Sequence, residues 1–220
     1  MKRIAVFPGQ GAQAVGMGKA LAEAFPTARA VFEEVDAALG EPLSRLIFEG
    51  PQGTLTLTEN AQPALMATSL AAVRAVEERL GRKLGELVDG VAGHSLGEYS
   101  ALAAAGAIGV GDAARLLRLR GRAMQRAVPP GEGAMAALLG LATDEVEAVA
   151  KEAAQASGPG AVCELANDNS EGQAVVSGSR AAVERAVSLA KERGAKRSML
   201  LQVSAPFHCA LLRPAADELG

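Results

Sequence analysis

The sequence predicts an α/β protein that carries an inserted subdomain of β-α-β-β-α-β order. Three observations point there. A short apolar strand at 87–92 (LVDGVA) runs through Gly93-His94-Ser95-Leu96-Gly97 into a small-residue helix at 96–105. An earlier apolar run at 3–7 (RIAVF) is closed by Pro8-Gly9. After Pro129-Pro130-Gly131 the pattern changes to short strands alternating with amphipathic helices.

Taken in order, 3–7 reads as a first buried strand. Helical patterns follow at 16–24 and 26–39, the second opening on Pro26, whose fixed φ suits a first helical position. The stretch 50–60 is rich in Gly, Pro and Thr and reads as a loop; 62–80 is a long amphipathic helix. The strand at 87–92 and its helix come next, then a helix at 112–128 with Asp112 as N-cap. Beyond the Pro-rich turn, 133–141 is a strand, 143–156 a helix capped by Thr143, 161–167 and 173–177 two strands, 180–192 a helix and 197–203 a last strand. That is the ferredoxin-like split unit. It ends near Ser204-Ala205-Pro206, so 130–203 is expected as an inserted subdomain between 1–129 and 204–220.

Composition excludes several classes. With 49% hydrophobic and 21% charged residues the chain is an ordinary packed protein, and its apolar runs are too short to span a bilayer. The apolar run after Met1-Lys2-Arg3 is broken at Pro8, too early for a signal-peptide core. A net charge of −3, 3% aromatics and no Trp leave neither a basic footprint nor a stacking platform for nucleic acid. Cys163 and Cys209 match no metal or redox spacing, so a reducing cytoplasmic setting and no metal are expected.

Gly-x-Ser-x-Gly between a strand and a helix is the pattern of a nucleophile elbow, a turn so tight that it lifts the serine hydroxyl clear of the backbone. The helix N-terminus behind Ser95 favours a developing negative charge. The other reading is a Ser95 N-cap paired with Glu98 in a capping box, and the motif alone leaves both open. Gly9-x-Gly11-x-x-Ala14 resembles a dinucleotide fingerprint, but Glu33 and Glu34, at the distance of its acidic residue, fall in a helical pattern. The loop can instead aim a backbone N–H into a site. Gln10 N–H and Leu96 N–H would then make a two-donor oxyanion hole.

On the 112–128 helix, at about 100° per residue, Arg115, Arg118, Arg122 and Arg126 gather on one face, read as solvated. Arg120 falls among Ala113, Leu116, Leu117, Ala123 and Met124, on the apolar side. A buried guanidinium needs an anion, either an internal carboxylate or one carried by a substrate. His94 adjoins the serine on a strand end, where neighbouring side chains diverge, and reads as structural or as pocket lining. His208, after the last strand, is the good general base downstream of Ser95.

The stretches PGQGAQ at 8–13, ENAQPAL at 59–65, AGHSLGEYSAL at 92–102, LRGRAMQ at 119–125, ANDNSEGQ at 166–173 and HCALL at 208–212 together resemble the malonyl-CoA:acyl carrier protein transacylases, in family order over essentially the whole chain. The resemblance implies a hydrolase-like α/β core with a parallel sheet and a ferredoxin-like insertion. It implies Ser95 as nucleophile, His208 as base, Arg120 as the clamp on the malonyl carboxylate, and Gln10 and Leu96 amides at the oxyanion, with Gln62 and Asn169 lining the pocket. It also implies a monomer without a cofactor, with malonyl-CoA and acyl carrier protein as partners. Family members run on past the position of Gly220, and a backbone carbonyl of that further segment orients their histidine; the chain is therefore expected to be a fragment or a short form. Two rival readings are a serine thioesterase or esterase on a similar core, which Arg120 disfavours, and a non-catalytic acyl-CoA or carrier-protein binder.

Overall fold

A computed structural model describes residues 2–129, 131–201, 203 and 205–220. Two compact units make it up, Met1–Arg122 and Ala123–Gly220. The turn residue Pro130 and the boundary residue Ser204 lie outside the described residues, as does Gln202.

In the first unit β1 (Ile4–Phe7) pairs in parallel with β2 (Gly90–Gly93), Phe7 opposite Gly93. Between them run α1 (Lys19–Ala24), α2 (Pro26–Leu39), α3 (Leu43–Glu49), α4 (Gln52–Thr56), α5 (Thr58–Leu80) and α6 (Leu84–Leu87); α7 (Leu96–Ala104) and α8 (Val110–Ala127) follow. The core is built around α5. Ala64, Met66, Ala67 and Leu70 are fully or almost fully buried against Val31, Phe32 and Val35 of α2, Ile47 of α3, Leu55 of α4 and Leu96 of α7. Small residues let these helices approach closely, most of all at Gly121 of α8. A Cβ there would lie 2.5 Å from the Glu59 Cα and 2.7 Å from the Thr58 carbonyl oxygen.

Several expectations are corrected. The first strand is buried on one face only. Phe7 and the partly buried Ala5 pack with Leu84 and Ala101, while Ile4 and Val6 on the opposite face are 55% and 72% exposed. Among the described residues β1 has a strand neighbour on one side only. The second strand starts at Gly90, because 84–87 closes into α6, whose Lys83 N–H is held by the Glu86 carboxylate. The expected loop at 50–60 holds α4 and the start of α5, and α3 was not legible. Asp112 lies inside α8 and pairs with Arg115 instead of capping.

The second unit carries β3 (Gly133–Leu139), α9 (Thr143–Ala156), β4 (Cys163–Ser170), β5 (Gln173–Ser179), α10 (Arg180–Glu192) and β6 (Arg197–Leu200). Its sheet has the order β4-β5-β3-β6, antiparallel throughout, the arrangement the β-α-β-β-α-β order dictates. Val146, Val149 and Ala153 of α9 and Ala182, Val183 and Ala186 of α10 are fully buried with Ala136, Leu138 and Val176 of the sheet. The N-cap of α9 is Ala142, whose N–H the Glu145 carboxylate accepts; the Thr143 hydroxyl donates to Asp168 instead. A 3-10 turn (Ala210–Leu212) and α11 (Arg213–Leu219) place Leu212 and Ala215 against Ala123, Met124 and Val128. Among the described residues no helix is long and apolar enough to cross a membrane.

Candidate active site

The elbow follows from the sheet register. The Phe7 carbonyl accepts the His94 N–H at 3.1 Å, and two residues later the chain has entered α7. Only with glycine two residues to each side of Ser95 does the chain turn so fast. A Cβ on Gly93 would sit 2.0 Å from the Gly97 carbonyl carbon and oxygen. One on Gly97 would sit 2.3 Å from the Phe7 oxygen. Both obstacles are backbone and cannot swing aside. Ser95 holds φ 54° and ψ −114°, strained for a residue with a side chain by about 1–3 kcal/mol. Its side chain makes no cap hydrogen bond to the helix, so the capping-box alternative is not what the chain does. The Ser95 Oγ instead accepts from the Arg120 Nη2 at 3.1 Å.

Around this serine stand the other residues of the first unit. Leu96 is the first residue of α7 and buried, and its N–H is one of those a helix leaves without an internal partner. The loop after β1 runs close beside the elbow. A Cβ on Gly9 would be 2.6 Å from the His94 Nδ1, so the exposed His94 ring lies over that glycine. The Gln10 side chain accepts from the buried Thr58 hydroxyl at 2.7 Å, which ties the loop to the start of α5.

Arg120 is 9% exposed. Its Nη1 donates to the Gln62 Oε1 at 2.6 Å, its Nη2 to Ser95, and its Cζ lies 5.8 Å from the Tyr99 ring centroid. All these partners are neutral, and among the described residues no carboxylate is within ion-pair distance. Burial pulls its pKa down, with Tyr99 and Glu98 opposing from farther off. A cation kept dry among neutral oxygens, 3.1 Å from a strained serine hydroxyl, is a ready seat for an anion.

The expected solvated arginine face is corrected at one position. Arg118 is 6% exposed and paired with Glu41, whereas Arg115, Arg122 and Arg126 are exposed and pair with Asp112, Glu59 and Glu218. Periodicity cannot see the partners that draw Arg118 inward. Tyr99 and Thr58 also went unremarked in the sequence, since neither carries a motif of its own.

His208 and Asn169 belong to the second unit. His208 is exposed in a turn with φ 58°, next to Cys209, whose thiol donates to the Pro206 carbonyl at 3.2 Å. Asn169 is exposed near the end of β4. Glu33 and Glu34 lie in α2, not on a second strand. Among the described residues no three His, Cys, Asp or Glu gather to hold a metal ion.

Comparison with known proteins gives one consistent result. Residues 4–220 match the acyl transferase domain family. The Bacillus subtilis (strain 168) malonyl CoA-acyl carrier protein transacylase is 50% identical over all of this chain and 67% of that protein. The crystal structure of an acyl-carrier-protein S-malonyltransferase from Bartonella henselae is 58% identical. It superposes with a TM-score of 0.92 over 99% of this chain and 68% of that one. The structure of a type II PKS acyl-carrier protein in complex with its malonyl-transacylase gives 46% and 0.92, over 100% of this chain and 68% of the matched one. The chain thus spans about two thirds of the length of these relatives. It belongs to the acyl transferase domain family, among the malonyl CoA-acyl carrier protein transacylases.

Proposed function

We propose that the chain transfers a malonyl group from malonyl-CoA to the phosphopantetheine thiol of an acyl carrier protein, in fatty acid synthesis, through an acyl-serine. The observation that carries the reading is Arg120, a buried cation with neutral partners beside Ser95. Ser95 attacks the thioester carbonyl with His208 as general base, and the CoA thiolate leaves with the proton. The tetrahedral oxyanion is met by the N–H groups of Gln10 and Leu96. The carrier thiol then attacks the malonyl-serine in the reverse sense. Arg120 holds the malonate carboxylate by a bidentate pair of charge-assisted hydrogen bonds, with Gln62 fixing the guanidinium. Asn169 and His94 are assigned to the pocket wall. Support for His208 comes from its HCALL stretch and its place downstream of the serine.

Loop 8–13 serves the oxyanion and no cofactor takes part. The enzyme acts as a cytoplasmic monomer, with 1–129 and 204–220 as the catalytic domain and 130–203 as the insertion. What supports the last point is that Leu212 and Ala215 pack on Ala123, Met124 and Val128.

The test is intact-protein mass spectrometry after mixing with malonyl-CoA. The chain should carry one malonyl adduct on Ser95, discharged by added holo carrier protein, and Ser95→Ala should carry none. Adduct on the alanine variant would refute the nucleophile. Release of free malonate without malonyl-carrier would make the chain a thioesterase.

A further inference from the structure

Arg118, which points away from the serine, has no part in that chemistry, yet it is as buried as Arg120. Its Nη2 pairs with the half-exposed Glu41, and its Nη1 donates to the Asn60 Oδ1 and, at 2.8 Å, to the Glu59 carbonyl. That carbonyl is not an arbitrary acceptor. In a helix it would receive the N–H four residues on, and that residue is Pro63, which has none. Arg118 supplies the bond that the proline cannot.

The same turn of α5 carries the groups around the candidate site. Thr58 holds the Gln10 side chain at 2.7 Å. Gln62 holds Arg120 at 2.6 Å. Arg118–Asn60 and Arg120–Gln62 span the same sequence offset of 58, so the two contacts clasp α8 and α5 side by side, with Gly121 against Glu59 between them. Arg122 adds an outer pair to the Glu59 carboxylate at 2.9 Å. A buried ion pair adds little net stability because desolvation offsets its attraction; what it does supply is one geometry.

We infer that Arg118, with Glu41, is a positioning residue for acyl-group selection. It holds the first turn of α5 so that Gln62 keeps the Arg120 guanidinium aimed at the substrate carboxylate. The inference rests on the proposed malonyl-transfer reading. Loosening this joint moves Gln62, lets Arg120 wander, and affects an acyl group with a carboxylate more than one without.

The experiment uses the full chain with Arg118→Met, Arg118→Lys and Glu41→Gln, assayed with malonyl-CoA and acetyl-CoA beside thermal melts. Glu41 is partly exposed, so its variant folds even if the methionine variant does not. In Glu41→Gln, and more strongly in Arg118→Met, the KM for malonyl-CoA should rise, by about tenfold in the latter, with kcat and acetyl transfer little changed. Arg118→Lys should recover part of the loss. Equal losses for both acyl groups, or none in either variant, would overturn the assignment. Hydrogen exchange gives a readout independent of activity. The amides of 61, 62 and 64–66 should lose protection in Glu41→Gln while 70–77 keep theirs, and a uniform change or none along α5 would also overturn it. If the unaltered chain forms no malonyl-serine, the functional reading fails instead, and the exchange result still decides whether Arg118 holds this turn.

Discussion

Replacing Arg120 by alanine should separate malonyl transfer from acetyl transfer. Both Nη groups are already aimed at oxygens, at 2.6 and 3.1 Å, so an arriving carboxylate meets a guanidinium held in place and largely dry. Each charge-assisted bond of this kind contributes about 1.5–3 kcal/mol, so two contribute about 3–6. At about 1.4 kcal/mol per factor of ten, kcat/KM for malonyl-CoA falls roughly a hundred- to ten-thousandfold. An acetyl group has nothing for the guanidinium to grip, and the alanine also frees the Ser95 hydroxyl from its donor, so acetyl transfer is held or rises. The assay is steady-state transfer of labelled acyl groups to holo carrier protein, with circular dichroism melts to confirm folding. Equal losses for the two acyl groups would refute the carboxylate seat.

Gly97→Ala drives a Cβ to 2.3 Å from the Phe7 oxygen, so the melting temperature should fall, by about 1–3 kcal/mol or more of stability, and acyl-serine yield with it. Gly53→Ala in α4, where nothing lies within 4 Å, should leave both intact. Glu77 is buried; burial pushes its carboxyl up, but Arg74, the Leu84 N–H and Lys83 together hold it below its ordinary value. A depressed carboxyl contributes stability above its unfolded pKa of 4.5 that is lost as pH falls through the folded value. Glu77→Gln should therefore be less stable than the parent at pH 7, by about 1–2 kcal/mol in urea titrations, with the gap closing in acid below the carboxyl range. In the second unit, Leu138→Ala, at a fully buried position of β3, should cost about 2–5 kcal/mol by the same measurement.

Where local chemistry decides, the sequence was readable. Pro26 and Gly40 bracket α2, and α9 and α10 begin and end at the residues their apolar period indicates. The β-α-β-β-α-β order carried its sheet with it, since β3 runs apolar and clear turns separate the elements. The elbow was legible because two glycines flank a serine at a strand–helix junction, and Arg120 because its place among Leu117, Ala123 and Met124 contradicts its charge. Tertiary partners hid the rest. The helix expected at 62–80 begins at Thr58, because Arg118 takes up the Glu59 carbonyl that Pro63 leaves without a donor. Arg118 itself sat on a charged face by periodicity and was drawn inside by Glu41 and Asn60. A proline within an apolar helical run, leaving a carbonyl four residues upstream without its donor, was the signal that could have found it. Residues 84–87 have too few positions to show a period, so the strand expected at 87–92 took in Leu87, the last residue of a short helix.

The short parallel ladder from Ile4–Gly90 to Phe7–Gly93 sets a tolerance on length. Both loops that carry the candidate oxyanion amides leave the sheet at its last rung, one after Phe7 and one after Gly93. Slipping one strand by a residue would shift Gln10 against Leu96 by about 3.3 Å, more than the reach of a hydrogen bond, and would turn Phe7 out of its cluster. Single-residue insertions or deletions within 4–10 or 90–96 are thus excluded in any working variant, whereas the exposed turn at 158–160, remote in sequence from both strands, can change length freely.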